Sequence, residues 1–253
     1  MVLTSKTTAN LYPFMQKNRP WEGIMAYKWL SKAMLILSMV LGLGFIRYAV
    51  SWWDSAFQTN QMSIASIGNF VGSAFQEGYD LIVVGGLKYV VLILVEVLIF
   101  HFTRRTLEII SGDLMDTSFK TFVRAQKRMI KIAIYSYFLE SILSIIVGIF
   151  ISMFGLTSLK PMIVLLIQSF FLGYAIIDNY NEIYHMTMKQ SLLYTRQYIG
   201  VALTIGVGVY FIMLVPLVGT LLGPILGAVV ATTVMHLVTE RDQAMDWVFD
   251  TRP

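Results

Sequence analysis

The feature that most constrains this chain is a run of 43 residues, 197–239, that contains no Asp, Glu, Lys or Arg. A helix that crosses the ~30 Å hydrocarbon core of a bilayer needs about 20 apolar residues, so this run is about twice as long as one span. It must therefore fold back on itself. We place the turn at 216–220, because proline cannot continue the hydrogen bonding of a helix and glycine tolerates turn dihedrals. This predicts a helical hairpin, with helices at 199–215 and 221–238.

Four further apolar runs have helical length, at 33–53, 81–102, 132–154 and 161–177. Only 13% of the residues are charged and the mean hydropathy is +0.68, whereas soluble domains carry about 25% charged residues. We therefore expect an all-α, polytopic membrane protein with about four spanning helices plus the C-terminal hairpin. Its membrane domain would occupy 33–238, preceded by a cytoplasmic or interfacial segment at 1–32 and followed by a cytoplasmic tail at 239–253.

The basic residues predict the orientation of the chain. Of the 19 Lys and Arg residues, 16 fall in the segments 1–32, 103–131, 178–198 and 239–253, which alternate spans place on the same side. Because Lys and Arg collect on the cytoplasmic side of a membrane, we expect both termini inside. The same pattern would result if the hairpin entered the membrane and returned without crossing, so the sequence leaves both possibilities open.

A basic stripe precedes the third span, at Lys120, Arg124, Lys127 and Lys131, with apolar residues on another face of the same segment. This pattern predicts an interfacial helix whose cations lie near anionic lipid headgroups, with a contribution of ~1 kcal/mol each. The alternative is an ordinary cytoplasmic extension of the third span. Shorter amphipathic segments at 21–29 and 64–75 are expected to lie at the interface as well.

Ionisable residues within the spans are the main functional candidates, since each costs roughly 2.5–3.5 kcal/mol at the centre of a membrane helix. Glu96 and Glu140 are predicted at similar depths, where two facing carboxylates would favour a shared proton or a bound cation. Alternatively, each packs on a buried helix face and pairs with Lys88, His101 or a backbone group. Lys88 is a candidate for attracting an anion, whereas Arg47 is expected to extend to the outer surface.

Two patterns lie in the C-terminal third. Asp178, Glu182 and His185 fall on one face of a predicted polar helix. We expect this helix to close the inner ends of the spans, with Asp178 as a candidate pathway residue. A metal centre would need a second Glu-x-x-His pair, which the sequence lacks.

Small residues recur every four positions and predict a packing strip for a neighbouring helix or a second protomer. A glycine-lined path is the alternative. The strip consists of Gly219, Gly223, Gly227 and Ala231.

Several functional classes find no support. The sequence contains no nucleotide-binding loop, nucleophile elbow or zinc-protease motif, and it has no cysteine. A net charge of +4 is too small and too dispersed for a nucleic-acid binder. We therefore expect neither an enzyme nor a bound metal or cofactor.

The order of segments in the C-terminal third carries a family resemblance. An apolar span ends at 169–178, a polar helix follows at 179–189, and then comes the apolar pair, with Val215-Pro216-Leu217 at its turn and Gly223-Pro224 beyond it. This order resembles the membrane family that contains the CysZ sulfate permeases and the etoposide-induced 2.4 protein, most clearly over 161–238. The resemblance implies two long crossing helices, hairpins that penetrate part of the bilayer, homo-oligomers and a bacterial inner-membrane location.

The resemblance also implies a permease for a small solute, a sulfate-type anion in the family. In this chain residues 26–32 read Ala-Tyr-Lys-Trp-Leu-Ser-Lys, where CysZ-like proteins carry a glycine and an arginine pair associated with sulfate. The paired guanidinium groups that suit an oxyanion are missing. The alternative function is a non-transporting subunit or a lipid-organising protein, in which the buried charges fix the register of the helices.

Overall fold

The computed structural model describes residues 10–22, 87–215 and 218–250, together with five isolated positions: Thr4, Thr7, Ile24, Trp29 and Lys32. The predicted span at 33–53 and the amphipathic segment at 64–75 lie outside the described residues, as does most of the segment at 21–29.

The described part of the chain consists of helices and the turns between them, which confirms the predicted all-α class. A single 3₁₀ turn, Thr157–Leu159, joins the third and fourth helices. The seven α-helices of the described residues are α1 (Leu11–Asn18), α2 (Leu87–Ser111), α3 (Phe119–Met153), α4 (Lys160–Ile183), α5 (Met188–Gln197), α6 (Ile199–Met213) and α7 (Val218–Asp250).

Three of these helices are long and apolar enough to cross a membrane: α3, α4 and the part of α7 at Val218–Glu240. Helices α5 and α6 meet at a bend of 96° and together count as at most one further span. α2 is long enough but carries Lys88, Glu96 and Arg104 along its apolar length. It lies at the centre of the bundle, packed against α3, α4 and α7.

Helix α3 presents the surface that identifies the medium. Only 22% of its most apolar window is buried within the protein. In water, an exposed apolar surface of this extent would be an aggregation site, whereas in a bilayer it faces lipid. The protein is therefore an integral membrane protein. The exposed side chains include Ile134, Phe138, Ile142, Ile145, Ile149 and Phe150.

The basic stripe lies on this same helix, which corrects the expectation of a separate interfacial helix. α3 runs without interruption for 35 residues, or about 52 Å at 1.5 Å per residue. No proline or glycine interrupts it before Gly148, so nothing separates the basic segment from the span. Since the hydrocarbon core is only ~30 Å thick, the first three to four turns extend beyond it, as the alternative interpretation requires.

The loop before α3 fixes where this helix begins. Ser118 is the N-cap, and its hydroxyl accepts a hydrogen bond from the backbone N–H of Thr121. The Thr121 hydroxyl donates to Asp116, and the Ser118 backbone N–H donates to the same carboxylate. These hydrogen bonds lower the pKa of Asp116, so that the carboxylate stays ionised beside the helix N-terminus.

The predicted hairpin is present as α6 and α7, which end and begin on either side of 214–217. The small-residue strip packs within the chain: a Cβ added at Gly219 would lie 1.8 Å from the carbonyl oxygen of Ile212, and one at Gly227 would lie 2.6 Å from Cγ2 of Val209. Three of its members, Gly219, Gly223 and Gly227, therefore contact α6, the partner helix of the hairpin.

An even closer contact joins α4 and α6. A Cβ added at Gly173 would lie 2.0 Å from the carbonyl oxygen of Ala202, and one at Gly206 would lie 1.7 Å from that of Ser169. Because the paired positions rise along one helix and fall along the other, the two helices run antiparallel. Small residues let the two backbones touch, as in other membrane helix pairs.

Candidate functional site

The predicted outer end of the bundle contains a buried ion pair between α2 and α3. Lys88 Nζ lies 2.7 Å from Glu140 Oε1, and the Tyr89 hydroxyl donates to Glu140 Oε2 at 2.6 Å. The Lys88 side chain is 0% exposed and that of Glu140 is 7% exposed. The pair is thus sealed from the surface, and both carboxylate oxygens of Glu140 have a donor.

This pair decides between the two arrangements considered for Glu140. The structure pairs Glu140 with Lys88 instead of placing it opposite Glu96. Lys88 and Glu96 are eight residues apart on α2, which corresponds to ~12 Å along the helix axis. Counting residues along the predicted spans places Glu96 and Glu140 at equal depth only if α2 and α3 have the same tilt and no offset along their axes. The tertiary packing instead brings Glu140 to the level of Lys88.

A second buried pair lies toward the predicted inner end, between α2 and α4. Arg104 Nη2 lies 2.7 Å from Glu182 Oε2, and Arg104 Nε donates to the backbone oxygen of Asp116. The guanidinium carbon lies 3.8 Å from the centre of the Phe100 ring, a cation–π contact. Arg104 and Glu182 are 3% and 6% exposed, so this pair is also within the protein interior.

Asp178 has the most complete set of partners. Arg128 of α3 binds it in a bidentate way, with Nε to Oδ2 and Nη2 to Oδ1 both at 2.7 Å. The Ser191 hydroxyl of α5 donates to Oδ1 at 2.5 Å. Arg128 also donates to the backbone oxygen of Met186, at the end of the α4–α5 connection. Asp178 thus ties together α3, α4 and α5.

Helix α5 is held in place by its own cap and by Asn181. The Thr187 hydroxyl and the Gln190 side chain form a reciprocal capping box at the N-terminus of α5. Asn181 Nδ2 donates to Ser191 Oγ at 2.9 Å and to Thr195 Oγ1 at 3.5 Å. The residues predicted as a separate polar helix, 179–189, are instead the last turn of α4, the connection after it and the start of α5. The polar end of α4 is buried by α5.

The predicted face with His185 does not continue past α4. The helix ends at Ile183, and His185 is exposed in a left-handed conformation with φ of 56°. Among the described residues, no three of the histidine, aspartate and glutamate side chains lie together as metal ligands. Asp178 and Glu182 bind arginines instead.

Glu96 lies between the two ion pairs and differs from every other buried acid described above. Its side chain is 0% exposed, and neither carboxylate oxygen has a hydrogen-bond partner of ordinary geometry. It faces the Asn179 side-chain amide, whose nitrogen also lacks such a partner. The charged groups in electrostatic range are Arg104, Asp178 and Glu182, and the two acids are themselves bound to arginines.

The basic stripe forms one wall of a groove of about 450 Å³ at the predicted inner end of α3. All four cations of the stripe are exposed, and within the described residues none lies within 4 Å of a carboxylate. Their charge is available for a ligand. The groove is lined by Lys120, Val123, Arg124, Lys127, Arg128, Lys131 and Met188.

Sequence reasoning missed the two arginines of the inner site, because Arg104 and Arg128 were counted as ordinary cytoplasmic charges. A signal was present: Asp178 and Glu182 are four residues apart on a helix, and two buried acids on one face require cations. Tyr89 and Asn179 carried no such signal, since tyrosine and asparagine are common near the ends of membrane helices.

The chain matches no protein-family model, no curated protein and no solved structure. Among the described residues, three ion pairs, one unpaired carboxyl and one polar amide lie within the apolar bundle or at its predicted inner end. Such groups can bind ions or protons or can fix the packing of helices.

Proposed function

We propose that the protein is a membrane permease for a small solute, with Lys88, Glu96, Glu140 and Asp178 along or beside the pathway. The observation that carries this proposal is α2, which buries Lys88, Glu96 and Arg104 at the centre of a bundle of apolar helices. A helix that only anchors a protein has no need of three such residues, each of which opposes membrane insertion. Buried charges of this kind mark ion and substrate routes in transporters.

A sulfate-type anion is the first solute to test, because the chain resembles the CysZ-like family in its segment order. We propose membership of that family on this resemblance, which the α6–α7 hairpin supports. The missing arginine pair is the reason to test small cations and protons in the same series.

The proposal predicts that two changes abolish flux in reconstituted vesicles. Glu96→Gln removes the unpaired carboxyl, and the double change Lys88→Met with Glu140→Gln removes the outer pair without leaving a buried charge alone. Both should stop the uptake of labelled solute by proteoliposomes while gel-filtration elution in detergent stays unchanged. Full uptake in both variants would contradict the proposal.

The matched control is Arg105→Gln. Arg105 neighbours Arg104 on α2, but it is partly exposed and pairs with Glu108 of its own helix at 3.0 Å. The Arg105→Gln variant removes a cation from the same helix but leaves the buried ion pairs in place, so uptake should be retained.

The groove along α3 supports a second candidate function, the binding of anionic lipid at the inner face. Its four cations lie on the part of α3 that extends beyond the hydrocarbon core, where headgroups lie. Neutralising Lys120, Arg124, Lys127 and Lys131 to Gln should reduce the phosphatidylglycerol retained by the purified protein in native mass spectrometry. Lys160→Gln, at the other end of α3 and α4, is the control and should retain the lipid.

Self-association remains part of the proposal, but it needs a surface other than the glycine strip. That strip contacts α6 of the same chain. The exposed apolar face of α3 is the surface that we propose binds a second copy. The oligomeric state of the protein in nanodiscs shows whether the copies associate.

A further inference from the structure

Among the described residues, Glu96 is the buried acid that has no cation bound to its carboxyl group. Glu140 has a lysine and a tyrosine hydroxyl, Asp178 has a bidentate arginine and a serine, and Glu182 has an arginine. Within the described residues, Glu96 has no donor of ordinary geometry on either oxygen. An ionised carboxylate in such a position would bear a desolvation cost that no partner offsets.

The neighbouring charges do not supply the missing partner. Arg104 is on the same helix and uses its Nη2 and Nε for Glu182 and Asp116. Asp178 and Glu182 of α4 are acids, which disfavour a third negative charge nearby. Arg128 of α3 is bound to Asp178, so it too is already neutralised.

The described side chains of α7, residues 218–240, include no Lys or Arg to balance the charge of Glu96. His236 of α7 is 3.2 Å from Glu240 of its own helix, and it is not among the groups in electrostatic range of Glu96. We call Arg104, Arg128, Asp178, Glu182 and Glu96 the inner polar cluster. Among the described side chains, its two arginines are matched to two acids, and Glu96 is the acid in excess.

Two further unpartnered polar atoms lie in the same cluster. Asn179 Nδ2 and Arg104 Nη1 are buried and have no hydrogen-bond partner of ordinary geometry. Their residues are 5% and 3% exposed. The site therefore has donors that could stabilise an ionised Glu96 after a small rearrangement, while the arrangement described here leaves them unused.

We propose that Glu96 is a reversible proton-binding site: a neutral carboxylic acid in the structure described here, which releases one proton when Arg104 Nη1 and the Asn179 amide that faces it close to good hydrogen-bond geometry with its oxygens. The coupling of this proton to solute movement rests on the proposed permease function. The protonation itself does not, because it follows from the burial and the missing partners alone. The step is a simple proton transfer: the carboxyl O–H bond breaks, and the proton is accepted by water that enters from the predicted inner surface, which leaves a carboxylate and a hydronium ion.

The test is labelling with a hydrophobic carbodiimide, which reacts with protonated carboxyls in apolar surroundings and does not need transport. The full chain in proteoliposomes should form one adduct, mapped to Glu96 by mass spectrometry. The adduct should decline as the pH is raised, because the ionised form does not react. Glu96→Gln should lose the adduct, while Glu140→Gln should keep it, because both oxygens of Glu140 already have a partner in Lys88 or Tyr89.

An infrared measurement supports the labelling if a variant proves unstable. The carbonyl band of a protonated carboxyl should be present in the unmodified protein and absent in Glu96→Gln, with Glu96→Asp as a variant that retains the acid. An adduct that persists in Glu96→Gln, or protection of Glu96 by sodium ions at constant pH, would overturn the proposal. Labelling of Glu96 without any solute flux would leave the proton site standing and remove the permease.

Discussion

At the scale of single residues, the interior Asp, Glu, Lys and Arg side chains in the described part of the chain form matched pairs, with the exception of Glu96. Lys88, Arg104 and Arg128 each have a carboxylate at 2.7 Å. Each pair bridges two helices, so the charges fix the register of neighbouring helices as well as any role they have in transport. Such pairs specify an arrangement more than they add net stability, because the desolvation of both ions offsets most of their attraction.

The outer pair gives a prediction about stability. Lys88→Met or Glu140→Gln alone should lower the free energy of unfolding by roughly 3–5 kcal/mol, because each leaves a buried charge without its partner. The double variant should lose much less than the sum of the two. Unfolding by denaturing detergent in mixed micelles measures all three; additive losses would mean that the two groups do not interact.

At the scale of helices, the closest contacts are made by glycines that carry no chemistry. Gly173 and Gly206 bring α4 and α6 into backbone contact, and three glycines of α7 contact α6 in the same way. α6 is therefore held from two sides by small residues. This packing holds the three helices of the C-terminal part as one unit and positions the polar end of α4 beneath α5.

Two glycines of α6 provide a matched pair for testing this packing. Gly206→Ala would place a Cβ 1.7 Å from the Ser169 carbonyl oxygen, while Gly208→Ala meets nothing within 4 Å. We expect Gly206→Ala to lose at least ~1–3 kcal/mol of stability through overpacking. Gly208→Ala should be neutral or stabilise by up to ~0.5–1 kcal/mol, because alanine favours the helix. Thermal unfolding in detergent distinguishes them, and equal behaviour would show that α4 and α6 separate easily.

At the scale of the whole molecule, the antiparallel packing of α6 on α4 bears on whether the hairpin crosses the membrane. Gly206 lies beside Ser169, and seven more residues carry α6 to Met213. Those residues add ~10 Å toward the predicted outer end of α4, which begins at Lys160. The C-terminal end of α6 therefore lies near the predicted outer end of α4.

The absence of native cysteine makes this position simple to probe. Val218→Cys, 59% exposed beside the turn, should be labelled from outside intact vesicles by a membrane-impermeant maleimide. Ser158→Cys, in the turn between α3 and α4, should be labelled as well, while Gly208→Cys on the exposed mid-helix face of α6 should be protected. If Val218→Cys is protected like Gly208→Cys, the hairpin is re-entrant.

The sequence alone determined the medium, the helical class and the position of the hairpin, because these depend on the length and charge of local segments. A backbone in lipid must make its hydrogen bonds within the protein, and a helix makes them within one segment, whatever packs beside it. The sequence also identified the candidate residues Lys88, Glu96, Glu140 and Asp178, because an ionisable residue in or beside an apolar run can be recognised without a structure.

Only the tertiary structure decided which of those residues meet. The pairing of Glu140 with Lys88, of Glu182 with Arg104 and of Asp178 with Arg128 depends on the relative rotation and tilt of α2, α3 and α4. Those quantities are set by side chains and glycines far apart in the chain, such as Gly173 and Gly206, and no local pattern encodes them. The lack of an ionic partner for Glu96 among the described residues follows from the same packing, because Arg104 and Arg128 are bound to Glu182 and Asp178.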